Sequence, residues 1–181
     1  MILRTCTLLI VVSLLVCPRC NSTDGLDQTP ERTKLSKTAA PCVLENTFAS
    51  PQDLGHAIVE ALNAKDTARL HSFRITKEEY LEYLWPEFPA RKNWPGDYAY
   101  ANLNKNCIKG VNRWSTRLGG LDLTFVGIRF TDPTEKYDRF NLLRGTILSV
   151  RTEDGLDKDL EILGSFVEMG NCYKLLSYDE G

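Results

Sequence analysis

The chain has 181 residues, 43% of them hydrophobic and 25% charged, with a formal net charge of −2 at pH 7. Such a composition supports one packed globular domain and gives no electrostatic reason to hold nucleic acid. It contains no C-x-C cluster, no His pair at metal spacing and no glycine-rich phosphate loop, and the clustered Cys17 and Cys20 belong to the export segment, so neither a metal nor a cofactor is expected.

Residues 1–20, MILRTCTLLIVVSLLVCPRC, put Arg4 before an apolar run from Thr7 to Val16. A run of about ten residues has signal-peptide length and is too short to span a bilayer as a helix. The expectation is an exported protein of the periplasm, outer envelope or extracellular space. Cys17 ends the run as the lipid-bearing cysteine of bacterial lipoproteins does, although Val16 is larger than the residue usual before it. Lipidation at Cys17 and ordinary cleavage near residues 20–22 both stay open, and a lipid anchor is the one expected tie to a membrane. Residues 21–41, NSTDGLDQTPERTKLSKTAAP, show no hydrophobic period and read as a flexible tether. A single folded domain is expected over 42–181. Cys42, Cys107 and Cys172 lie within it and suit one disulfide plus one thiol, with the pair unselected by sequence.

Ser50 is a good N-cap, Pro51 suits the first helical position, and Leu54, Ala57, Ile58, Ala61 and Leu62 follow helical spacing. Asp66 opens a second short helix carrying Leu70 and Phe73. Thr76 and Glu79 form a capping-box pattern for a third, with Ile75 and Tyr80 as a hydrophobic staple and Pro86 as its end. Residues 86–97 hold three prolines and read as loop. A longer helix is predicted over about 98–118, with Tyr100, Leu103, Cys107, Val111, Trp114 and Leu118 on one stripe, stopped by Gly119-Gly120.

From residue 121 the period changes to that of strands, predicted at 121–131, 139–151, 158–169 and 172–178. Asp154-Gly155 and Gly170-Asn171 read as two-residue hairpin turns. Those turns would place Gly145 opposite Gly164 and Gly164 opposite Ser177, with Gly127 joining the row. Such a line of small residues would permit sharp curvature. Both faces of the sheet come out apolar: Leu143, Ile147, Leu160, Ile162, Phe166 and Leu175 on one, Leu142, Leu148, Leu163, Val167, Leu176 and Tyr178 on the other. A face left over by the helices is a motive for a homodimer through the outer face of the sheet.

Helices followed by a long antiparallel sheet is an α+β arrangement. The stretches AIVEALNAKDTARLHSF, 57–73, and GSFVEMGNCYKLLSYDE, 164–180, resemble the opening helix pair and last strands of the nuclear-transport-factor-2-like superfamily. Within it the chain is most similar to uncharacterised exported bacterial proteins. The resemblance implies N-terminal helices packed on a strongly curved, cone-like four-stranded sheet. The superfamily's usual hairpin before the long helix is missing, its place taken by residues 76–97.

That superfamily includes isomerases, dehydratases and non-catalytic binders, some of the enzymes with a His–Asp pair in the cone. His56 and His71 match no such position. Tyr100 with Asp97 is the remaining pair that could move a proton, if a carboxyl were buried there; the simpler expectation is that Tyr100 packs the core and Asp97 caps the helix. His71, at a helix end, would carry a charge that suits the dipole. No catalytic residue is assigned. Arg129 and Arg144 lie among apolar strand neighbours and would need a carboxylate, with Glu161 and Glu168 nearby in the predicted meander, or an anionic ligand.

EYLEYLWPEFPARKNWPGDYAY, 79–100, concentrates Tyr80, Tyr83, Trp85, Phe88, Trp94, Tyr98 and Tyr100, seven of the chain's 17 aromatics. Phe88 and Trp94, set between prolines, are expected to fold back over the open end of the sheet. Trp85, Phe88, Trp94, Tyr98, Tyr100, Arg129 and Arg144 form the candidate ligand-binding set. The leading expectation is a non-catalytic exported module binding a protein or small molecule. The alternatives are an isomerase- or dehydratase-type enzyme using a Tyr/Asp pair, and a structural envelope lipoprotein.

Overall fold

A computed structural model describes residues 41–180; the expected signal peptide, the candidate lipid attachment at Cys17 and all but the last residue of the expected tether lie outside the described residues. The helical half forms by local rules. Helix α1, Pro51–Asn63, starts where the Ser50 hydroxyl accepts from the Asp53 amide. Helix α2, Thr67–Ser72, is capped by the Asp66 carboxylate, which accepts from the Arg69 amide. Helix α3, Lys77–Glu79, carries the full reciprocal capping box of Thr76 and Glu79. The chain then widens into a π turn, Tyr80–Leu84, and tightens into two 3-10 turns, Trp85–Glu87 and Pro89–Lys92. Pro86 has no amide hydrogen to carry an α-helical ladder onward. Helix α4, Gly96–Leu118, begins two residues before the expected start, with Pro95 rather than Asp97 at its cap.

The strands are β1, Thr124–Phe130; β2, Glu135–Lys136; β3, Asn141–Leu143; β4, Thr146–Arg151; β5, Asp157–Leu160; β6, Phe166–Met169; and β7, Cys172–Leu175. They form two open antiparallel sheets, one ordered β1-β4-β5 and the other β2-β3-β6-β7. This corrects the expected cone: the α+β class stands, but the strands do not form one strongly curved four-stranded meander, and neither sheet closes. The two long predicted strands each break at a glycine. Gly145, at φ +62°, sits in the left-handed region between β3 and β4, and a side chain there would collide with Thr131 and Asp132. Gly164 lies between β5 and β6 against Ser177, whose carbonyl accepts its amide at 2.8 Å.

The turns explain the rest. Gly170-Asn171 is a two-residue turn closed by the Met169–Cys172 pair. The turn at Asp154-Gly155 is longer. Thr152 pairs its amide with the Leu156 carbonyl, leaving Glu153, Asp154 and Gly155 as a three-residue loop with Gly155 at φ +78°. One extra residue shifts the β4–β5 register by one. Gly127 then pairs with neither Gly145 nor Gly164 but with Ser149, beside a bulge at Val126.

Two hydrophobic clusters fill the domain. The larger joins Leu54, Ile58 and Leu62 of α1, Leu70 of α2 and Val111 of α4 to Ile128, Leu148, Phe166 and Leu175 of the sheets. The smaller gathers Leu44, Ile75, Tyr80 and Leu84 with Phe140, Leu142, Val167, Met169 and Leu176. Each fully buried large side chain contributes roughly 1.5–3 kcal/mol. Leu142, Val167 and Leu176, placed above together on one sheet face, are buried with Leu44, Ile75 and the chain's own aromatic segment.

The segment before α1 is strapped to β7. Cys42 is joined to Cys172 by a disulfide with Cα atoms 5.9 Å apart, and Phe48 exchanges backbone hydrogen bonds with Tyr173. Cys107 is a buried thiol. Beneath the strap, the Lys174 ammonium, 1% exposed, donates to both oxygens of Glu79 at 2.8 and 2.7 Å. The Glu45 and Thr76 amides donate to the same carboxylate. Burial pushes that carboxyl up, but the Lys174 hydrogen bond, the two amides and the Lys174 charge outweigh it and leave Glu79 below its ordinary range.

Candidate functional site

The aromatic segment divides into two parts. Tyr80 is buried, and Trp85, Phe88 and Tyr100 are partly buried against the smaller core cluster. Tyr80 contacts Trp85 at 5.8 Å and Tyr100 at 5.4 Å between ring centroids, and Phe88 meets Phe140 edge-on at 5.7 Å. These rings pack the core. Burial pushes the Tyr80 hydroxyl up to about 12.

Trp94 and Tyr98 do not pack the core. They are 54% and 53% exposed and stack on each other, centroids 5.3 Å apart and planes 19° from parallel. The second 3-10 turn ends at Lys92 and α4 starts at Gly96 with Pro95 as its cap, and the corner between them aims both rings outward. Gly96 is required there, because a Cβ would meet Leu81 and Trp85 at 2.6 and 2.7 Å. Between the packed and exposed rings lies a cleft of about 500 Å³, walled by Trp85, Phe88, Trp94, Tyr98 and Ala99, with Asn102 at its edge. Its size and apolar lining suit a small organic ligand.

The expected arginines are elsewhere and exposed. Arg129 makes a two-pronged pair with Asp159 at 2.6 and 3.1 Å and also donates to Ser149. Arg144 pairs with Glu135. Neither faces inward, and neither uses Glu161 or Glu168: the shifted β4–β5 register brings Asp159 opposite Ser149 and within reach of Arg129, and Arg144 meets Glu135 of β2. Of the seven candidate ligand residues, the cleft gathers Trp85, Phe88, Trp94 and Tyr98. Tyr100 contacts Tyr80 from outside it, and the two arginines are not part of it.

The candidate acid–base groups are not assembled. Asp97 is exposed and held by Lys77 at 2.7 Å. His56 is exposed beside Glu60. His71 departs from the expectation of a charge on a helix end: burial, and then the nearby Arg74 charge, lower its pKa and favour the neutral ring. Among the described residues no group of three or more His, Cys, Asp or Glu could hold a metal ion. No helix among them is long and apolar enough to cross a membrane.

Sequence reasoning missed two buried cations, Lys174 and Arg74. A signal existed for the first: in CYKLLSY, Lys174 alternates with Cys172 and Leu176 on an apolar face. Arg74, between Phe73 and Ile75, gives a weaker one. Comparison with known proteins finds no matching family model, no similar curated protein and no similar solved structure.

Proposed function

We propose that this domain is a non-catalytic binding module whose aromatic cleft takes a small, planar, apolar organic molecule. The observation that carries this reading is the stacked Trp94–Tyr98 pair, half in water at the mouth of an apolar cleft. Large aromatics bring much contact area and little rotamer entropy, so rings left exposed beside a concave apolar wall suit capture of another flat apolar surface. Asn102 offers a polar group to orient the ligand. The disulfide and the leader-like residues 1–20 support a site of action outside the cytoplasm.

The test is a ligand screen by NMR on the folded, oxidised protein, using planar aromatic fragments against saturated rings of equal size. Planar fragments are expected to move the Trp85 and Trp94 indole signals saturably, and Trp94→Ala should weaken that binding about tenfold or more. Indole signals that stay still, or a response unchanged in both Trp94→Ala and Tyr98→Ala, would overturn the reading.

A further inference from the structure

Arg74 lies in the turn between α2 and α3 and is 5% exposed. Its backbone is fixed on both sides, by a 3.3 Å bond from its amide to the His71 carbonyl and by a bridge to Leu175. Both terminal guanidinium nitrogens donate to Asn104 Oδ1 on α4 at 3.2 Å, and one lies 3.4 Å from His71 Nδ1. Its Nε has no partner. Among the described residues Arg74 forms no ion pair.

No contact of this guanidinium therefore balances its charge. Asn104 is neutral, and the His71 ring is held neutral. Burial pushes the neighbouring Cys107 thiol up, against the pull of Arg74, so it stays protonated. An arginine cannot shed its proton in a protein, and buried charges are ordinarily paired. A cleft of about 550 Å³ opens on this residue, lined by Arg74, His71, Thr76, Tyr100, Asn104 and Ile108 among others. The other cations beside it are paired, and the one carboxylate left is in water. Lys174 is neutralised by Glu79, Lys77 is paired with Asp97, and Glu78 stands exposed on the rim.

We propose that this second cleft binds the carboxylate of a small organic acid, with the Arg74 guanidinium as its counter-charge. The site holds one uncompensated positive charge, which matches a single negative charge. A dianion would leave one charge unmatched and facing Glu78. Tyr100 and Ile108 offer apolar wall for the body of the acid, and the Thr76 hydroxyl, which accepts from the Glu79 amide, keeps its own proton to donate.

The experiment titrates the oxidised protein with sodium benzoate, sodium acetate and inorganic phosphate, each against sodium chloride at matched ionic strength. It reads the Asn104 side-chain amide and the arginine Nε–H signals by NMR. Benzoate is expected to shift both saturably, acetate more weakly, and phosphate least. Asn104→Asp places a carboxylate against the same nitrogens. It should raise the melting temperature and weaken benzoate binding about thirtyfold or more; Arg74→Met should weaken that binding as much. Should either variant fail to fold, the wild-type titration and the other variant decide. Absence of a saturable benzoate shift, unchanged affinity in Asn104→Asp, or phosphate binding as tightly as benzoate would each overturn the proposal.

Discussion

Two cations are buried within the same small region and are treated in opposite ways. Lys174 meets both oxygens of Glu79, and that carboxylate collects two backbone amides besides. Arg74, five residues before Glu79 in the chain, meets one neutral amide oxygen and a neutral imidazole. The first arrangement is closed: every strong donor and acceptor has a partner, and little is left for a ligand. The second has an unmet charge beside a cleft. A buried pair that is complete serves the fold, and a buried charge that is incomplete is available for binding.

Breaking the closed arrangement should have the largest effect. Lys174→Met leaves the Glu79 carboxylate buried without its cation and is expected to cost about 3–5 kcal/mol in denaturant unfolding. Replacing both, as Glu79→Leu with Lys174→Met, should recover much of that loss, since no charge is then stranded. The pH dependence follows from the lowered Glu79 pKa. A carboxyl depressed in the folded state contributes stability that is present above its unfolded value and lost as pH falls through the folded one. Unfolding should therefore show an acid-sensitive component as pH falls below the ordinary carboxylate range, and it should disappear in the double variant. An identical acid limb in both proteins would remove Glu79 as its source.

The covalent tie comes next. The disulfide holds the strap at the same strand as Lys174, and the two cysteines are 130 residues apart in sequence. Cys42→Ser with Cys172→Ser is expected to cost about 2–5 kcal/mol. Arg74→Met should cost less, about 1–2 kcal/mol, because it strands only the partly buried Asn104 side-chain oxygen and removes a charge that nothing neutralised. A loss as large as that of Lys174→Met would mean that Arg74 has a structural partner after all and would end its role as an open charge.

What could be read from sequence follows the range of the forces involved. The caps of α1, α2 and α3 depend on residues three apart, so Ser50, Asp66 and the Thr76/Glu79 box declare themselves. The sheet arrangement rests on one residue of loop length. Taking Asp154-Gly155 as a two-residue turn, where three residues form the loop, carries a register error into β4 and β5. Gly145 was legible as a small residue but not as a break, since neither its positive φ nor the close approach of Thr131 and Asp132 is written in its neighbours along the chain. In the aromatic segment composition gave the materials without the division of labour. That Phe88 packs on Phe140 while Trp94 stays in water depends on the corner at Pro95-Gly96 and on Leu81 and Trp85 across from it. The Lys174–Glu79 pair joins residues 95 apart, and only an apolar strand face bearing one lysine hinted at it.

The smallest effect is expected where an arginine has everything that Arg74 lacks. Arg129 grips Asp159 with two nitrogens, yet both side chains are about half exposed, 54% and 51%. The Arg129 and Ser149 hydrogen bonds pull the Asp159 carboxyl down to about 2. The sign gives stability present above the ordinary carboxylate range and lost only as pH falls toward about 2. Water and salt screen a pair so placed, and ordering two long side chains offsets much of what remains. Asp159→Asn should therefore change the unfolding midpoint little at low salt and not at all in about 1 M sodium chloride, where the Debye length is roughly 3 Å. The benzoate affinity at Arg74 should resist salt better, because burial rather than geometry alone decides what a charge contributes. Parallel salt titrations of the two sites measure that difference directly: equal losses would mean that the Arg74 cleft is as open to solvent as the sheet surface.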